Sequence, residues 1–172
     1  MTLWIALMLV TTAQAGPASS AASSVASVRG AHDVVKGYLS KAADQLSEEL
    51  YAFKPTPQVR SMGELFGHIA DANFAICGMA SGQKASMSGI EKSKKTKAEL
   101  TAALAESFKF CDAAYASLTD ANANETVKFF VPGTHTRLGV LAFNNAHQFE
   151  HYGNVVTYMR MKGLVPPSSA GK

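Results

Sequence analysis

Four stretches of this chain repeat apolar residues at three- and four-residue steps, and this periodicity leaves little choice of fold. In the first, roughly Asp33 to Phe53, the apolar face is Val35, Leu39, Ala42, Leu46, Leu50 and Phe53, and Lys54-Pro55-Thr56-Pro57 stops the helix. The second runs from about Met62 to Ser81. Ser61 and Glu64 form a capping box at its start, its face is Leu65, Ile69, Ala72, Ile76 and Met79, and Gly82 follows. The third, about Lys97 to Leu118, has a second capping box in Thr96 and Glu99 and presents Leu100, Leu104, Phe108, Cys111, Tyr115 and Leu118. The fourth runs from about Leu138 to Lys162 and ends at Gly163, with Pro166 and Pro167 beyond. Between the third and fourth, Thr126 to Val131 is extended in character and Pro132-Gly133 is a turn pair, which predicts a loop or a short strand. The fold class is therefore all-α, a four-helix bundle.

The chain's 172 residues, 47% of them hydrophobic and 17% charged, suit one folded domain and argue against disorder. Residues 31–169 are expected to form it. Leu3 to Val10 is an apolar run too short to span a bilayer. Ala13 and Ala15 after it suit a signal peptidase, so residues 1–15 read as a signal peptide and the protein as exported, periplasmic or extracellular. No Lys or Arg precedes the run, and without cleavage the protein would be cytoplasmic. Residues 16–30, rich in Ala, Ser and Gly, read as a flexible spacer. Net charge is +3, and the one basic cluster, Lys92 to Lys97, reads as a solvated helix entry. Basic residues and aromatics do not interleave, so nucleic acid is not expected as a partner. Cys77 and Cys111 read first as buried small apolar residues, with pairing open in an oxidising compartment.

His147 and His151 lie four residues apart on the fourth helix, hence one turn apart on one face. Val140, Asn144, Asn154 and Tyr158 share their stripe, which apolar residues border on both sides. So many inward polar groups need partners or a ligand. Two such imidazoles can ligate a divalent transition metal, and a firm site needs a third ligand. His68, beside Leu65, Ile69 and Ala72, is the best candidate, with Asp71 three residues on to orient it. His135 precedes the fourth helix and could approach the open side of the site, whereas His32 reads as solvated.

Ser61-Met62-Gly63-Glu64-Leu65-Phe66-Gly67-His68-Ile69-Ala70-Asp71 resembles the first metal-ligand helix of DinB/YfiT-like proteins, and His147 through Ser168 resembles their last helix and its exit. The resemblance covers about Ala31 to Ser169. It implies a four-helix bundle with one His from the second helix and two from the fourth on a metal, often zinc or nickel. Here those are His68, His147 and His151, the set chosen by spacing. Some relatives are thiol-dependent transferases or isomerases, and many have no assigned activity. Export departs from the cytoplasmic pattern and makes thiol transfer a weaker expectation.

Three neutral imidazoles leave a coordination position open, which suits a metal-dependent hydrolase or transferase acting on a small molecule. Glu150 is the nearest carboxylate in sequence but lies to one side of the His face. His147 to His151 also spells the H-x-x-E-H of one zinc-protease class, but residues 152–172 contain no Asp or Glu to supply its downstream ligand. The alternative is a non-catalytic metal- or ligand-binding module. A small-molecule partner is expected, no stable membrane anchor after cleavage, and a homodimer is left open.

Overall fold

Helix α1 begins at Ser24, well before the expected domain start, and ends at Gln45. The computed structural model describes residues 23–84 and 88–171, so the signal-peptide reading of residues 1–15 falls outside it. The spacer reading fails for residues 23–30. Ser23 caps the helix by accepting from the Ala26 amide, Val25 is buried, and the Arg29 guanidinium donates to the carbonyls of Tyr115, Ala116 and Leu118. An Ala/Ser-rich stretch is helix-competent, and these contacts suffice to fix it.

α1 also stops earlier than its apolar face predicts. Leu46 turns extended, and Lys97 Nζ takes the terminal carbonyls of Asp44 at 2.8 Å and Leu46 at 2.6 Å. The single turn α2 (Glu48–Tyr51) follows, and Leu50 and Phe53 stay packed on the core. α3 (Met62–Ser81) and α5 (Lys97–Ser117) both start with the expected capping boxes. The turn α4 (Ile90–Ser93) lies between them. A two-stranded antiparallel ladder, β1 (Thr126–Val127) with β2 (His135–Thr136), precedes α6 (Arg137–Met161). No helix among the described residues is long and apolar enough to cross a membrane.

Helix α3 packs on α5 and α6, as does α1, so α1 and α3 occupy opposite corners of the bundle. α5 starts beside the end of α1 and ends beside Arg29, so these two are antiparallel. α6 runs parallel to α1: Asn145 binds the Val28 carbonyl near their starts, and Gln45 reaches Val165 past their ends. α3 and α5 are then parallel neighbours, which forces the chain between them to travel back along α3. α4 is carried on that return. It crosses α3 at Gly67, where a Cβ would lie 2.7 Å from the Glu91 Cα, so only glycine admits the contact.

The core divides into two clusters. One gathers Leu39, Phe66, Ile69, Phe74, Leu104 and Met159, and the other Val25, Ile76, Ala114, Leu118, Val140 and Leu141. In the second cluster Cys77 and Cys111 are joined as a disulfide between α3 and α5. Their placement on apolar faces is as expected, but their preferred reading as unpaired residues is not. His32 is also corrected. It is 1% exposed, stacks on Tyr115 with centroids 3.9 Å apart, and bonds Asp112 at 3.0 Å. Met79, assigned to the inner face of α3, is exposed.

Candidate metal centre

The antiparallel pairing of α3 and α6 sets His68 opposite the turn that carries His147 and His151. His68 Nε2 lies 3.2 Å from His147 Nε2, which lies 3.1 Å from His151 Nε2. One ligating nitrogen from each of the three falls within 4.8 Å of the others. Nitrogens bound tetrahedrally at 2.0–2.1 Å would be separated by about 3.3 Å. The described residues thus already hold two edges of such a ligand set near that length, and the cluster could hold a metal ion.

Protonation favours the same use. Burial lowers the pKa of His147, and the neighbouring His68 adds to this. His151 is pushed down to about 4, first by burial and then by the two adjacent imidazoles. Both rings are neutral at pH 7 and keep a lone pair. His68 Nδ1 lies 3.1 Å from Glu91 Oε2, so a neutral His68 carries its proton on Nδ1 and turns its Nε2 lone pair inward. With His68 offering its Nε2 lone pair inward, the facing Nε2 atoms need a proton or a cation among them, and a metal ion fits that need.

Glu91 is the orienting carboxylate, and the sequence reading missed it. Asp71 was expected in that role. Instead it accepts from the amides of Ile90 at 2.9 Å and Glu91 at 3.0 Å, anchoring α4 to α3. Glu91 then reaches back to His68 with one oxygen, and with the other accepts from Arg60 Nε at 2.8 Å. Glu91 is 23 residues from His68 with no periodic link to it. The one sequence signal was Gly67, a glycine inside a helix beside a candidate ligand.

Other candidates lie elsewhere. His135 bonds the Val131 carbonyl at 3.0 Å and packs against Phe129, so it does not join the three histidines. Asn144 points inward, but toward the sulfurs of Cys77 and Cys111 and the Tyr115 hydroxyl. Asn154 is exposed, with its amide 3.4 Å from His151 Nδ1. Beside the cluster opens a cleft of about 660 Å³, lined by Lys54, Arg60, Glu91, Glu150, His151 and Tyr158 among others. Glu150 is exposed at its α6 side.

No match is found among curated proteins. Among solved structures, a DinB-like protein from Bacillus subtilis superposes with a TM-score of 0.67 at 19% identity, covering 85% of this chain and 99% of that one. A DinB-like protein from Bacillus cereus gives 0.70 at 18% identity, over 81% and 93%. A mycothiol-dependent maleylpyruvate isomerase gives 0.64 at 12% identity, over 76% of this chain and 60% of that longer one. At these identities the likeness is one of fold. The family model of the DinB superfamily matches residues 31–155, most of the bundle including all three clustered histidines, and the chain belongs to that superfamily.

Proposed function

We propose that the protein binds one divalent transition metal, zinc or nickel, through His68, His147 and His151, and presents it to a small molecule in the adjoining cleft. The observation that carries this reading is the convergence of His68 and His151 on His147, Nε2 to Nε2 at 3.2 and 3.1 Å, with one ligating nitrogen of each residue within 4.8 Å of the others. A metal held by three neutral imidazoles supplies a Lewis acid with an open position, suited to hydrolysis or to transfer of a bound nucleophile. The chain's own residues set the conditions. Glu91 holds the His68 tautomer, burial keeps His147 and His151 unprotonated, and the cleft admits a ligand of small-molecule size. Both Glu91 oxygens are engaged, and Glu150 is the exposed carboxylate of the cleft left without a partner among the described residues.

That engagement favours a second reading, a metal-bearing module without turnover. Hydrolase and thiol-transfer assays on metal-loaded protein separate the two. The fold shared with a mycothiol-dependent isomerase is the reason to include a thiol.

We also propose that the protein is exported, with residues 1–15 removed. The Cys77–Cys111 pairing supports this, because disulfides persist in oxidising compartments. N-terminal sequencing should then start near Gly16. Metal analysis tests the central proposal: about one ion per chain in the wild type, and sharply less in His68→Ala, His147→Ala or His151→Ala. Full occupancy in any one variant would remove that residue from the ligand set.

A further inference from the structure

The cleft beside the histidines is uneven in what it offers a ligand. Its acids on the α3 side are already engaged. Glu64 accepts from the Ser61 amide at 2.7 Å in the capping box, and Glu91 is shared between Arg60 and His68. Arg60 is the reverse case. A guanidinium carries five N–H donors. The bond from its Nε to Glu91 fixes the plane, and the Tyr158 hydroxyl on the Arg60 carbonyl at 3.2 Å fixes the backbone. Its two Nη groups have no acceptor among the described residues, and Arg60 lines the cleft that His151 also lines. Lys54 lines the same cleft and the neighbouring hollow, which also holds Lys94 and Lys95. The basic run that read as a solvated helix entry is therefore delivered by the return of the chain over α3 to a hollow bordering the cleft. Glu150, on the opposite side, is a carboxylate without a partner among the described residues, and it disfavours negative charge near α6.

We infer that the cleft takes a small molecule carrying a carboxylate or phosphate group, seated on the Arg60 Nη groups with Lys54 beside it and the remainder directed at the three histidines. Arg60 matches either oxyanion with paired donors, and its fixed plane spares the ordering cost of a free side chain. This rests on the metal reading for what the far end of the molecule meets, but the anion seat is a property of Arg60 and Lys54.

The test uses the full chain loaded with cobalt as a coloured stand-in. Malonate, inorganic phosphate and the neutral malonamide are titrated by calorimetry and by the cobalt visible spectrum. Malonate or phosphate should bind and malonamide should not, and the stronger of the two anions identifies the headgroup. Arg60→Gln, compared with the wild type at full cobalt saturation of both, should weaken the anion by about tenfold or more, as expected for a lost charge-assisted pair. Arg60→Lys should recover part of the loss. Lys54→Gln, an exposed change that cannot unfold the bundle, should weaken the anion severalfold. Equal anion affinity in wild type and Arg60→Gln, or binding of malonamide as tight as malonate, overturns the inference. If the wild type takes up no cobalt, the metal reading falls, and calorimetry on that same protein still decides the anion seat.

Discussion

Toward one end of the bundle α3 is tied to α5 by the Cys77–Cys111 disulfide, with Asn144 of α6 laid over the sulfurs. Toward the other, α3 meets α6 across three imidazoles whose nitrogens face one another. Between these halves runs a buried polar layer, Gln148 to Asn73 at 2.7 Å and Asn73 to Ser107 at 3.1 Å. The disulfide half is held by a covalent bond that is indifferent to pH. The histidine half is held by imidazole nitrogens that need a proton or a cation between them, so its cohesion depends on what occupies that space. One fold thus combines a permanent fastening with a conditional one, and the conditional one lines the cleft.

The largest effect should come from cutting the permanent fastening. The two cysteines are 34 residues apart, and closing a loop of that length is worth about 4 kcal/mol in the chain-entropy account. The Cys77→Ala/Cys111→Ala protein should lose stability of that order in urea unfolding. A loss below about 1 kcal/mol would mean that the disulfide is not what sets this half apart.

Metal removal should be next. An ion bound only by the folded state stabilises it by about 2.7 kcal/mol at a hundredfold excess over Kd. Chelation should lower the melting temperature without abolishing helical circular dichroism, because the apolar clusters remain. In hydrogen exchange, protection should fall in α3 and α6 around the histidines more than around the disulfide. Uniform loss along both helices would dissolve the distinction between the halves.

Acid should act on the metal-free protein in the same half. His151 is depressed to about 4 in the folded state, against about 6.5 unfolded. Above pH 6.5 neither state takes the proton, and this contribution is flat. Between 6.5 and 4 the unfolded chain binds a proton that the folded one refuses, so stability falls as pH falls. The full shift corresponds to about 3.4 kcal/mol, and solvent screening at the cleft edge should reduce the loss to about 2 kcal/mol. His151→Gln should flatten that slope in chelator-treated melts. A slope unchanged in the variant would assign the acid sensitivity elsewhere, with buried His32 the next candidate.

The smallest effect should be that of Glu91→Gln. Removing the charge that orients His68 should weaken metal affinity about tenfold, or 1.4 kcal/mol, and barely move the metal-free melting temperature. Competition against a chelator of known affinity reads this directly.

What the sequence made legible follows the range of the physics involved. Capping boxes and i, i+4 faces are local, and Ser61–Glu64, Thr96–Glu99 and His147–His151 stand where the spacing puts them. His68 was found because its apolar neighbours oriented it. The misreadings are contacts between distant segments. Arg29 fixes residues that composition marked as a spacer, Tyr115 covers His32, Lys97 cuts α1 short, and Glu91 arrives on a return segment with no periodic pattern to announce it. Each depends on which helices are parallel, and helical periodicity carries no information on that.

The direction of α1 has a practical consequence. Its first turn packs at the disulfide end, where Val25 and Val28 join the second apolar cluster. The cleft opens toward the opposite end, beside Arg60 and Tyr158. A tether, fusion partner or tag joined directly at Ser23 would therefore enter the bundle at the pole away from the cleft. Immobilised through a tag joined at Ser23, the protein should present the three histidines outward, and surface-based ligand capture can be set up in that orientation without screening the cleft.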